Sequence, residues 1–288
     1  MCADQPDAPR GGLRWWHGAL FFLAALGAQL GIVVAVTVVG MSGLLGTTPG
    51  EIHAAMQSPA MLAVQVVLTC GMLTLLALAG ARVRKTAAGK ALRLARPSAT
   101  ALVVAGLGVI PVGIVIDEIT FLLHTLAPSV FDSYGLGVFV ESFAAFSTGG
   151  FLVATVAVTV GPALGEELFF RGFVLRAAGN DLPAGAAIAL SAFFFGVLHL
   201  DMLQGTGAAM IGAYLGFAVL VTDSIWPAVV AHGVNNLLCS VFARIDPEGV
   251  GQAFDVGHSP LVFVAALVVA GAVCFDLWRL RAKAAQSS

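Results

Sequence analysis

The chain has 288 residues, of which 59% are hydrophobic and only 10% charged, with a mean hydropathy of +0.95. Soluble domains carry about 25% charged residues, so a soluble globular protein is excluded and a polytopic membrane protein is required. A net charge of -2 offers nothing to nucleic acid or to a strongly charged partner.

About 20 apolar residues cross a bilayer as a helix. Eight such spans are predicted, at residues 17–41, 59–81, 99–125, 148–176, 183–201, 205–223, 225–243 and 260–279. Loops rich in Gly, Pro, Ser and charge separate them at 46–58, 82–98, 126–137 and 244–259, and residues 138–147 read as an amphipathic lead-in to the fourth span. The expected fold is all-α, with about eight transmembrane helices in one membrane domain over 17–281, between a cytoplasmic tail at 1–16 and another at 282–288. The first apolar run is too long for a signal-peptide core and reads as a retained span. Cys2, Cys70, Cys239 and Cys274 are scattered without CxxC spacing, which indicates neither a disulfide framework nor a zinc knuckle.

The Lys and Arg distribution predicts orientation. Arg10 and Arg14 precede the first span, and Arg82, Arg84, Lys85, Lys90, Arg93 and Arg96 crowd the loop after the second. Arg171 and Arg176 close the fourth, and Arg279, Arg281 and Lys283 end the eighth. With eight spans, 13 of the 14 basic residues share one side and only Arg244 stands opposite, which places both termini in the cytoplasm of an inner (plasma) membrane. An odd number of spans would scatter the same charges over both faces.

Glycines at GxxxG spacing, Gly27 with Gly31 and Gly212 with Gly216, predict close helix packing. The acidic pair Asp117 and Glu118 falls well inside the third span, where it would line a polar cavity or lie near the outer end of a tilted helix.

The run Gly161-Pro162-Ala163-Leu164-Gly165-Glu166-Glu167-Leu168-Phe169-Phe170-Arg171-Gly172 places three ionisable groups in the fourth span. Each costs about 2.5 to 3.5 kcal/mol to insert into lipid, a penalty that marks function by default. On a helix Glu167 and Arg171 are four apart with the acid first, the favourable order for a pair. Glu166 is rotated about 100° away, without a local partner. The fifth span adds Phe195 and His199, and the seventh adds His232 and Asn236, each pair four apart on one face. At 1.5 Å per residue from the cytoplasmic helix ends, Glu166, His232 and His199 lie about 21, 12 and 25 Å deep. All fall within the hydrocarbon core of about 30 Å, so an intramembrane polar cavity shared by these spans is permitted.

Two chemistries fit these residues. Removal from bulk water makes a carboxylate a better base, suiting Glu166 to take a proton from water with His199 orienting or deprotonating that water. His232 and the Asn236 amide would then donate to the oxyanion of a tetrahedral intermediate, while Glu167 and Arg171 hold the helix. In the metal version, one divalent ion such as zinc is held by Glu166, His199 and His232, with a fourth position for water and Glu167 as the base. The HExxH signature is absent. No serine or cysteine nucleophile is evident.

The ordered motifs EExxxR (Glu166, Glu167, Arg171), FxxxH (Phe195, His199) and HxxxN (His232, Asn236), over about 148–243, resemble the CPBP intramembrane protease family. That family includes type II CAAX prenyl endopeptidases and bacterial proteins of bacteriocin processing and self-immunity. The resemblance implies an eight-helix fold with a conical cavity open toward the cytosol, and peptide-bond hydrolysis. It gives Glu166 the role of catalytic glutamate, His199 that of its partner on water, His232 and Asn236 that of oxyanion donors, and Glu167 and Arg171 the remaining motif positions. The expected partners are the lipid bilayer and a hydrophobic or membrane-associated peptide, with no nucleic acid. The rival readings are a non-catalytic scaffold or bacteriocin-immunity protein of the same fold, and a proton-coupled transporter, for which the paired repeats are absent.

Overall fold

The computed structural model of the chain describes residues 13–83, 88–131, 134–245 and 259–286. Arg10, Arg84 and Lys85, the tail at 1–12 and most of the loop at 244–259 lie outside the described residues. All secondary structure among those described is helical: α1 (Trp15–Met41), α2 (Pro49–Met56), α3 (Pro59–Val83), α4 (Ala88–Ala91), α5 (Ala99–Leu126), α6 (Pro128–Phe131) and α7 (Tyr134–Ala145) come first. They are followed by α8 (Thr148–Glu167), a π-helical segment (Leu168–Val174), α9 (Leu175–Ala178), α10 (Ala184–Leu198), α11 (Met202–Thr222), α12 (Trp226–Ile245) and α13 (Pro260–Gln286).

A helix stands at each of the eight predicted spans, and seven of these helices are long and apolar enough to cross a membrane. The fifth, α10, is the exception at 15 residues. Its end is set by His199, whose Nδ1 bonds the Phe195 carbonyl, and by Leu200, which turns the chain at φ 56°. Asp201 then caps α11 by accepting from the Gln204 N–H at 2.8 Å. The loop expected at 46–58 contains α2, which begins with Pro49 and a capping box between Thr48 and Glu51. The tail expected from 282 continues α13 to Gln286.

Helix ends sort onto two faces. On the first, Asn180 donates to the Leu13 carbonyl at 2.6 Å and Arg14 pairs with Asp181 at 3.3 Å. Ser224 donates to the Ala95 carbonyl at 2.7 Å and Arg93 pairs with Asp223 at 3.2 Å. The start of α1, the loop after α3, the end of α9 and the α11–α12 joint therefore share one side, here the basic face. At the far face, the Arg244 guanidinium donates to the carbonyls of Phe143, Ala144 and Phe146 at 3.3, 2.6 and 2.7 Å. These are acceptors that the last turn of a helix leaves open, which gives the single basic residue of that side an architectural task.

Glycine-mediated packing is selective. Gly165 lies against Cys70, where an added Cβ would come within 2.8 Å of backbone and side chain, and Gly161 lies against Val66 in the same way. Together they seat α8 on α3. Gly212 and Gly216 pack as expected, Gly212 against Arg171 and Phe195 and Gly216 against Ile188. Gly27 and Gly31 do not: nothing approaches them within 4 Å, because α1 turns that face outward with Leu23, Leu30 and Val34 exposed.

Candidate active site

Pro162 sits inside α8 and has no N–H for the Val158 carbonyl four residues earlier. Asn236 of α12 supplies the missing donor, its Nδ2 reaching Val158 O at 2.9 Å. A carbonyl only accepts, so this bond fixes which end of the amide faces it. Asn235 donates to the Asn236 Oδ1 at 3.2 Å and holds the same orientation from the other side.

One turn further along, the backbone widens into the π-helical segment, with the Leu175 N–H bonded to Phe170 O. Ser191 of α10 donates to that same carbonyl at 3.0 Å. π segments cluster at functional positions, and here one carries Arg171. Glu167 and Arg171 are completely buried and pair at 2.8 Å. Arg171 also donates to the Gly212 carbonyl at 3.0 Å and lies over the Phe195 ring at 4.4 Å. Gly212 makes room for this, since a Cβ there would stand 2.8 Å from the guanidinium. The insertion penalty of the two charges is thus offset by pairing, by a backbone acceptor and by an aromatic face.

Glu167 has a second partner. Its Oε1 stands 2.9 Å from the Nδ1 of buried His232. A carboxylate held by arginine accepts, so His232 carries its proton on Nδ1 and directs Nε2 toward Glu166, whose Oε2 lies 3.8 Å away. His199 is held in the same sense, because Nδ1 donates to Phe195 O at 2.8 Å and Nε2 is left as the remaining polar atom of the ring. Phe195 stands edge-on to both imidazoles, at centroid distances of 5.0 Å from His199 and 5.8 Å from His232.

Glu166, His199, His232 and Asn236 line one cavity of about 420 Å³, so helices distant in sequence do meet around a shared hollow. Glu167 and Arg171 stand behind its wall. α10 ends at Leu198, so His199 stands at its C-terminal end beside the hollow. Asp117, one of the acidic pair in the third span, lines the cavity too. Sequence reasoning did not reach Asn235, Gln204 or Cys239 of the lining. Neighbouring Asn residues beside a histidine in an apolar helix, and a proline four residues after a helical carbonyl, were the available signals.

Among the described residues no three His, Cys, Asp or Glu side chains are grouped closely enough to hold a metal ion. That holds for the Glu166, His199 and His232 set. Cys70, Cys239 and Cys274 are unbridged.

The hollow also has a direction. On the basic side its lining stops at Glu166, Phe195, Ile211 and His232, and Phe169, Phe170, Arg171 and Phe173 beyond them are buried. On the far side it reaches Leu136 and Phe139 of α7, and Leu203 and Gln204 at the start of α11. The cavity lining therefore lies on the half of the molecule away from the basic face.

Fold and hollow together define a polytopic membrane protein with carboxylate and imidazole groups gathered inside the bilayer. Residues 148–238 match the family described as Type II CAAX prenyl endopeptidase Rce1-like. This stretch, about a third of the chain, holds Glu166, Glu167, Arg171, His199, His232 and Asn236, and it is similar to that family. No curated protein matches the chain. No solved structure matches it either.

Proposed function

We propose that the protein hydrolyses a peptide bond of a hydrophobic or membrane-bound peptide in this cavity. The observation that carries the reading is the opposed pair of Glu166 and His232, with His232 gripped from behind by a Glu167 that is itself anchored to Arg171. In the reaction, a water oxygen attacks the peptide carbonyl carbon while Glu166 takes one of its protons. The His199 Nε2 lone pair accepts a hydrogen bond from that water and aims it. The C=O bond opens to an oxyanion, and collapse of the tetrahedral intermediate breaks the C–N bond as Glu166 returns the proton to the leaving amine.

The oxyanion needs donors. The second N–H of the Asn236 amide is one. His232 becomes another when Glu166 passes the proton taken from water to its Nε2, 3.8 Å away. The imidazolium donates from Nε2, Glu167 stabilises the added charge as a carboxylate does in the serine protease triad, and the proton passes back through Glu166 to the leaving amine. No step here is routed through a metal.

Purified protein is incubated with a peptide library, with and without chelator, and products are read by mass spectrometry. Cleavage that persists under chelation is expected. Glu166→Gln is expected to lose about 10²- to 10⁴-fold in rate with an unchanged melting temperature. Absence of any cleavage, or full activity of Glu166→Gln, would sink the reading in favour of a scaffold or immunity protein.

A further inference from the structure

We infer that the hollow opens to the exoplasmic side of the membrane, so that the substrate is a peptide segment already carried across the bilayer and not a cytosolic chain end. The inference rests on the hydrolase reading for its substrate and on independent observations for its direction.

The direction follows from three findings. Contacts of Leu13 with Asn180, Arg93 with Asp223 and Ala95 with Ser224 gather the basic connections on one face. That face is sealed beneath the site by aromatic side chains, Phe169, Phe170 and Phe173, at most 2% exposed. The cavity runs away from it to exposed Gln204 at the start of α11 and to α7.

Charge then assigns the faces. Lys and Arg near span ends are retained in the cytoplasm; counted along the eight predicted spans, 12 of the 14 fall at ends on the basic side, the buried Arg171 being left out. The exception, Arg244, is engaged with three carbonyls at the end of α7. It marks a helix end and gives no reason to reverse the assignment. A peptide reaching Glu166 from the far face must present its scissile bond outside, as the juxtamembrane part of an exported or anchored segment does. A prenylated C-terminus in the cytosol would meet the sealed face.

The test uses the full chain with its four cysteines replaced by alanine and single cysteines placed at Gln204 or Lys90, both exposed and on opposite faces. Intact spheroplasts receive a membrane-impermeant sulfonated maleimide. Labelling of Gln204→Cys before lysis, and of Lys90→Cys only after it, is expected. The reverse pattern overturns the inference. Should the cysteine-free chain fail to fold, a fluorescent protein and an alkaline phosphatase fused after Ser288 report on the unaltered sequence. Fluorescence with inactive phosphatase is expected, and active phosphatase overturns the inference. These readouts need no hydrolysis. Labelling from outside combined with no peptide cut in detergent therefore overturns the hydrolase reading and its substrate, and leaves the direction standing.

Discussion

The side-chain amide of Asn236 occupies the place of a backbone N–H: it donates at 2.9 Å to the Val158 carbonyl, the acceptor that Pro162 leaves open in the fourth span. A motif residue expected to serve chemistry thus also repairs a helix, and it ties α12 to α8 beside the reacting groups.

This bond predicts coupling between positions 162 and 236. Asn236→Ala strands a half-buried carbonyl, at a cost of about 1 kcal/mol. In a Pro162→Ala background the restored N–H satisfies Val158, and most of that cost should vanish. Unfolding of the four chains of the double-mutant cycle in detergent measures this, and additive losses would contradict it.

The buried pair behaves differently from a surface ion pair. Arg171→Leu leaves Glu167 charged and buried and is expected to destabilise by about 3 to 5 kcal/mol. Replacing both, as Glu167→Gln with Arg171→Leu, should cost less than the single change at Arg171. Equal losses for the single and double changes would show that the stranded carboxylate is not the cause.

Arg244 is assigned to the end of α7, whose Leu136 and Phe139 form part of the cavity wall. Arg244→Met keeps the apolar stem and removes a charged donor, an exchange worth about 1.5 to 3 kcal/mol. Cleavage by an added protease should appear near residues 143–147 in the variant and not in the parent. Unaltered resistance there would reject this role.

A pH dependence arises outside the spans. The Glu51 carboxylate accepts from the Thr47 and Thr48 N–H groups at 2.8 and 3.0 Å, which holds it below the usual carboxylate range. A depressed acid stabilises the fold above its ordinary titration range, and that contribution is lost as pH falls through the folded-state value. The melting-temperature gap between the parent and Glu51→Gln should therefore close on acidification. A gap that widens in acid would refute the assignment.

Much of this molecule was legible in the linear chain. Eight apolar stretches, the one-sided basic residues, and Glu167 placed four before Arg171 are local properties, because the cost of a polar group in lipid is incurred by each residue wherever its neighbours come from. The same cost singled out Glu166, His199 and His232. What folding alone decided is partnership across helices. Whether Glu167 also grips His232, whether Asn236 serves Val158, whether Asp117 faces the hollow while Gly27 faces outward, and that α10 stops at His199, all depend on which helices touch. Hydrogen bonds and packing act over a few ångströms of space, and a span of 20 residues carries no record of its neighbour.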